Sequence, residues 1–188
     1  MSRRLTLAFL IVALFVGQST GTVLTEPSSP SKETAGRNLE NVDVRISEIL
    51  VSASSEDYNG TDWNGDGDIG SSSDQFIELW NAGSAPADVS DWLLDDIAEG
   101  GSAPCRLAWN TTIEPNEYIV IFRESSRIEL DYWDGDTATI SDNMGNLVDT
   151  LSYGEEDSWW DTSYVKDADG NVSKKSPPTP GWGGEESY

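Results

Sequence analysis

The sequence predicts an all-β fold, an antiparallel β-sandwich, on three observations. Short runs of strand-forming residues recur at roughly even spacing from residue 43 onward. Clusters of Gly, Pro, Asn and Asp separate them, and these are the residues that turns demand. No stretch after residue 21 carries the 3.6-residue apolar period of an amphipathic helix. Many short strands with regular turn signals are the pattern of a sandwich.

The first strand is predicted over 44–51 (VRISEILV), and the second over 75–81 (QFIELWN). A third, 89–94 (VSDWLL), carries Trp92. The fourth, 118–122 (YIVIF), is apolar throughout, as expected of a strand buried on both faces. Pro115, Asn116 and Glu117 supply the turn before it. A weaker fifth strand covers 137–141, a turn 143–146 (NMGN), and a sixth strand 147–153. A seventh, 163–165, precedes the turn 167–170 (DADG), and the last turn signal is 177–181 (PPTPG). No internal repeat is visible.

Residues 1–21 read as a signal peptide: Arg3 and Arg4, then an apolar run over 5–16 interrupted only by Thr6, then Ser19 and Gly21 at cleavage-site spacing. The run is short for a membrane span, although an uncleaved anchor stays open. Arg3 and Arg4 also approach a twin-arginine signal, with Thr6 where a Phe is usual. Residues 22–42, rich in Ser, Thr, Pro and Glu, read as an extended linker. The sandwich is expected over 43–184 and an acidic tail over 185–188. These features predict a secreted or cell-surface protein whose only membrane contact is through an uncleaved signal segment.

Composition removes several function classes. The net charge is −23, with 34 acidic against 11 basic residues. That balance repels phosphates, so no direct nucleic-acid binding is expected. The sequence has no His, which removes Ser-His-Asp triads and zincin motifs. Cys105 is the sole cysteine, so neither an internal disulfide nor a cysteine-rich zinc site can form. Its simplest reading is a buried free thiol.

The sharpest motif is the acidic, glycine-rich loop before the second strand, 62–74 (DWNGDGDIGSSSD). Asp62, Asn64, Asp66 and Asp68 fall at every second position, and Gly67 sits where the chain must turn. This is the first half of an EF-hand calcium loop, whose alternate oxygen ligands converge on one hard cation. The second half departs from it. Ser73 stands at the twelfth position in place of the bidentate Glu, Asp74 follows one residue later, and no amphipathic helix flanks the loop. The expected ligands are the side chains of Asp62, Asn64, Asp66 and Asp74, with Asp68 adding its carbonyl or its carboxylate. An oxygen-only, flexible set suits calcium better than magnesium, and without nitrogen or thiolate it disfavours zinc. The ion's expected role is structural, cancelling repulsion between carboxylates. The alternative is a solvated acidic turn.

Eight tryptophans invite a sugar-binding reading. Trp80 and Trp92, on predicted strands, are expected in the core, while Trp63, Trp133, Trp159, Trp160 and Trp182 fall in loops. There they either stack on a ligand or cover the sheet ends. Glu78 is weak as a catalytic acid, because no motif places a second carboxylate beside it. It is expected to be a paired or solvent-facing strand residue. Sequons at Asn59, Asn110 and Asn171 lie in predicted loops and are candidate glycosylation sites.

Six segments in order resemble the lamin tail domain family, in its secreted prokaryotic type. They are 46–49 (ISEI), 74–79 (DQFIEL), 91–95 (DWLLD), 113–118 (IEPNEY), the late hairpin from Gly135 and Asp136 through Gly145, Val148, Asp149 and Tyr153, and 179–181 (TPG). The resemblance spans about residues 42–183; adjacent Trp159 and Trp160 have no counterpart in it. It implies an immunoglobulin-like sandwich, often with a calcium-like acidic loop before the second strand. It implies no catalytic activity, and a role as an adhesion, interaction or spacer module for a protein, surface-polymer or glycan partner. Such domains are sometimes appended to hydrolases, for which this chain has no room. Two functions are therefore expected in order: a calcium-stabilised interaction module, then a carbohydrate-binding module using the loop tryptophans. A metal-dependent hydrolase is a distant third.

Overall fold

Strand β1, Val44–Leu50, shows how the chain separates two layers. Strict alternation would put Glu48 on the same face as Ile46. A β-bulge prevents this: β1 pairs antiparallel with β2, Phe76–Asn81, and the register shifts between Ile46 and Glu48 so that Ser47 is the extra residue. Ile46 and Ile49 thereby reach the same core cluster, while Leu50 joins a smaller cluster with Phe76.

The computed structural model describes residues 41–97, 101–154 and 160–181. The signal segment 1–21, nearly all of the linker, Trp159, Trp182 and the tail 185–188 lie outside the described residues. The remaining strands are β3 (Ala87–Asp88), β4 (Leu93–Asp95), β5 (Cys105–Arg106), β6 (Thr112–Ile113), β7 (Tyr118–Phe122), β8 (Gly135–Ser141), β9 (Leu147–Gly154), β10 (Ser163–Lys166) and β11 (Val172–Lys175). They form a five-stranded sheet in the order β11-β10-β1-β2-β7 and a four-stranded sheet in the order β5-β4-β8-β9. A small β3-β6 ladder accompanies them, and every pairing is antiparallel. Among the described residues, helix is confined to one 3-10 turn at Glu56–Tyr58 and to α1, Arg123–Ser126.

The core fills the space between the two main sheets. Ile46, Ile49, Ile77 and Leu79 come from the first, and Leu94, Ala138, Ile140 and Leu151 from the second. Asp149 on β9 bridges back to the first sheet, accepting the Ile46 N–H at 2.7 Å and pairing with the Lys166 ammonium. Among the described residues no helix is long and apolar enough to cross a membrane.

Several expectations are corrected. Of the third predicted strand, 89–94, only Leu93 and Leu94 are strand, in β4, because Asp91 takes a left-handed backbone (φ 62°) and the Trp92 N–H turns back to the Val89 carbonyl; β3 lies ahead of the predicted span. Trp92 lies just ahead of β4 and only packs against the core's margin. Trp80 sits on the outer face of the first sheet, half-buried, stacked on Tyr118 with the Arg45 guanidinium over its ring. Strand β7 is half-buried rather than covered on both faces, since it forms an edge of its sheet.

That outer face carries a second departure. Glu48 and Glu78 are directly paired across β1 and β2, and both are fully buried. Neighbouring like charges on a sheet oppose each other unless their oxygens are satisfied. The C-terminal segment does this. The Thr179 N–H and hydroxyl both donate to Glu48, which also accepts from the Ser163 hydroxyl. Glu78 accepts from the Ser47 hydroxyl and the Gly181 N–H. Glu78 is thus a paired strand residue, and its pair is structural.

Candidate functional site

Residues that follow β1, β4 and β7 gather with Trp160 at one end of the sandwich, and the acidic loop is the longest described stretch there. Its foundation is Asp74, fully buried. One oxygen accepts the Trp63 and Asn64 N–H groups at 2.9 and 3.2 Å; the other accepts from the Gly70 N–H and the Ser73 hydroxyl at 2.9 and 3.3 Å. A carboxylate offers about four acceptor sites, so Asp74 is saturated by the loop it anchors. Above it, Asp62 accepts the N–H groups of Gly65, Asp66 and Gly67. Asn64 Oδ1 takes the Asp66 N–H and Asp66 Oδ1 the Asp68 N–H, each over two residues in an Asx turn. Gly67 has φ 92°, the left-handed backbone expected at the turn. Hydrogen bonds from Asp68 and Asn64 hold the exposed Asp66 carboxyl below its ordinary range.

As a test of fit to calcium, the donors are all oxygens, and Asp62, Asn64, Asp66 and Asp68 lie exposed or half-exposed along one short stretch. Their side chains curl onto loop amides. Among the described residues, no three acidic side chains gather as a metal-holding group. Free lone pairs remain on Asp62, Asp66 and Asp68, so the chemistry of the set suits a hard cation.

Beside the loop lies a groove of about 710 Å³. Its floor includes Gln75, which ties the layers by donating to the Val51 and Leu130 carbonyls and accepting the Leu130 N–H. Its wall is the loop 131–134 (DYWD) with Asp96 and Asp136. Burial, then the nearby Asp96 and Asp131 charges, push the Asp136 carboxyl up, against the N–H groups of Thr137 and Asp131 that hold it down. An aromatic row leads away from Tyr132 and Trp133, which line the groove. Tyr58 meets Trp160 at 5.9 Å between ring centroids, Trp160 meets Tyr132 at 6.3 Å, and Tyr132 meets Trp133 edge-on at 4.7 Å. Trp133 is 74 % exposed, Tyr58 73 % and Trp160 47 %.

The predicted loop tryptophans therefore divide. Trp133 and Trp160 join the row; Trp63 instead packs on Leu50, Ala53 and Phe76 and donates its indole N–H to Asp161 at 3.1 Å. Sequence reasoning missed Tyr58 and Tyr132; for Tyr132 the adjacent aromatics between Asp131 and Asp134 were a usable signal, while Tyr58 stands alone among polar residues. It also missed Trp109, which is exposed on a separate loop. Asn59 and Asn110 are exposed with left-handed backbones. Asn171 is exposed, but its amide donates to Asp167. Cys105 is a half-buried free thiol on β5, with its pKa pushed up by burial.

The lamin tail domain family model matches residues 39–155. The matched span holds β1 to β9, the loop and the whole lining of the groove, while β10, β11 and the segment that closes over Glu48 and Glu78 follow it. Comparison with the curated proteins returns no match. The family is one of immunoglobulin-like domains without enzymatic character, which points to an interaction module. The family match and the antiparallel two-sheet architecture agree, and the chain belongs to the lamin tail domain family.

Proposed function

We propose that this is a secreted or surface-displayed, non-catalytic interaction module that meets its partner through the loop end of the sandwich. The carrying observation is the row Tyr58, Trp160, Tyr132 and Trp133, in which Tyr132 is seated on the core beside the groove and the other three rings are exposed. Exposed aromatic clusters of this kind are costly to leave in water and are enriched where partners bind. The layout of residues 1–21 supports export. Calcium in the loop, held by Asp62, Asn64, Asp66 and Asp68 over the Asp74 anchor, would steady the neighbouring groove. The absence of His, and the structural employment of Glu48 and Glu78, support a role without catalysis.

A second reading, binding of surface glycans, is favoured by the exposed indoles of Trp133 and Trp160, whose flat faces can stack on sugar rings. The interaction reading is tested by adding fluorescently labelled protein to intact cells of the host. Wild type is expected to be retained, and a Trp133→Ala/Trp160→Ala variant is expected to be washed away. Equal retention of the two sinks the reading. Recovery of the protein only from the cytoplasm, with Met1 intact, sinks export.

A further inference from the structure

We propose that the partner presents an extended, lysine- or arginine-bearing peptide segment, which lies along the aromatic row with its cations against the groove's carboxylates. This rests on the interaction reading above and names the partner's chemistry. Three observations carry it.

The first is the spacing of the rings. Alternate side chains on an extended strand lie about 6.6 Å apart on one face. The Tyr58–Trp160 and Trp160–Tyr132 separations of 5.9 and 6.3 Å come close to that repeat. The repeat holds from Tyr58 to Tyr132 and not at the 4.7 Å step to Trp133, and Tyr132 is seated on the core, so the exposed rings of Tyr58 and Trp160 are the ones that can receive successive side chains of an extended segment; an ammonium or guanidinium over such a face is attracted by its quadrupole.

The second is the charge of the groove. Asp96, Asp131, Asp134 and Asp136 line it, and among the described residues none of the four has a cation against it. Asp96, Asp131 and Asp136 accept backbone N–H groups instead: Asp96 those of Ile97 and Ser102, Asp131 those of Trp133 and Asp134, Asp136 those of Thr137 and Asp131. The one basic side chain in the lining, Arg123, is already paired with Glu129 at 2.9 Å. Asp96 is fully buried and adds only its field, whereas Asp131 and Asp134 are exposed and Asp136 is half-buried; the groove's own negative charge is therefore uncompensated, and an arriving cation meets it at these three.

The third is the field of the whole chain. A net charge of −23 concentrates cations at the surface and speeds their encounter, but gives a neutral glycan no such advantage. Both ligands could use the indoles. Only the cationic peptide uses the indoles, the carboxylates and the field together.

The test is a titration of the full chain, followed by tryptophan fluorescence and calorimetry. The probes are an octapeptide of alternating Lys and Ser, an octapeptide of alternating Gly and Ser, and a neutral chitin hexasaccharide. The Lys–Ser peptide is expected to bind alone of the three. Binding should weaken about tenfold or more in Trp133→Ala/Trp160→Phe and in Asp131→Asn/Asp134→Asn, with the far-UV spectrum unchanged. A distant pair, Asp142→Asn/Asp167→Asn, removes the same charge and is expected to change affinity less than twofold. Equal weakening by the distant pair would reduce the effect to diffuse attraction and overturn the proposal. Binding of the hexasaccharide in place of the peptide, lost in Trp133→Ala/Trp160→Phe, would overturn the peptide class but leave the interaction surface standing. If none of the three binds, the peptide proposal falls. The cell-retention comparison of wild type with Trp133→Ala/Trp160→Ala then decides the interaction reading separately.

Discussion

Asp74 lies beneath the acidic loop with both oxygens given to four donors. Replacement by Ala strands three backbone N–H groups in a partly buried place. A charged acceptor lost in this way costs about 2–4 kcal/mol, so Asp74→Ala should lower the urea midpoint markedly while Asp68→Ala, at an exposed position, should barely move it. Equal effects would mean that the loop has no anchor. Asp95 shows the opposite sign. Burial, then the charge of Asp96, hold its carboxyl above the ordinary aspartate range. A raised folded-state pKa stabilises the protein below the unfolded value, and that stability is lost as pH rises through the folded one. At neutral pH the ionised group is therefore a cost. Asp95→Asn keeps an acceptor for the Asp96 N–H, 3.0 Å away, and should raise stability at pH 7 slightly, since solvent screens the partly exposed charge. The gain should shrink on acidification below the aspartate range; a gain independent of pH would point to packing. Sequence spacing exposed the alternate acids of the loop, yet it could not distinguish Asp74 as the buried one. Burial depends on what β2 and the loop fold against, which local spacing does not contain.

At the scale of elements, strong local signals coincided with the structure and tertiary ones did not. The run 118–122 is β7 to the residue, because consecutive β-branched and aromatic residues after a Pro-Asn turn leave few alternatives. Strand β11 escaped notice because Val172–Lys175 is polar and exposed; it forms because the 167–170 turn returns the chain onto β10. The two-residue strands β3 and β6 are held by tertiary partners, chiefly the Asn81 amide donating to the Ala85 and Ile113 carbonyls. The bulge at Ser47 was equally hidden, and it decides that Glu48 faces the C-terminal segment. Two carboxylates buried under Thr179 and Gly181 make that segment part of the sandwich. Thr179→Val removes the hydroxyl donor to Glu48 while keeping the backbone one, and should cost about 1.5–3 kcal/mol, the range for a hydrogen bond to a charged group. Protease sensitivity near residue 176 should rise with it. Unchanged stability and unchanged cleavage would show that the segment merely rests on the sheet.

At the scale of the whole molecule, most of the 34 acidic residues fall in the sandwich span and repel one another across it, and the loop end concentrates part of that repulsion next to the proposed binding groove. The fold class was legible from strand spacing and turn residues, because the longer strands carry strand-forming runs and turn residues separate them. The groove was not, because its walls come from loops far apart in sequence. The acidic loop lies between β1 and β2, so any ion that orders it also restrains the connection between two central strands. Calcium modules of extracellular type bind with dissociation constants of about 0.1–1 mM. At about 100 times the dissociation constant, linkage adds about 2.7 kcal/mol, an upward shift in melting temperature of about 5–10 °C for a domain of this size. The comparison is thermal melting of wild type and Asp62→Ala/Asp66→Ala, each with calcium and with chelator, at constant monovalent salt because screening alone quiets carboxylates. Wild type should gain the full shift and the variant only a small fraction of it. Since the loop already satisfies its own amides, chelator should leave wild type folded rather than unfold it. If calcium raises both proteins equally, the ion neutralises charge diffusely and the loop is no site. If it raises neither, the loop is an acidic turn held by Asp74 alone, and the groove beside it must be steadied by Gln75 and the sandwich beneath.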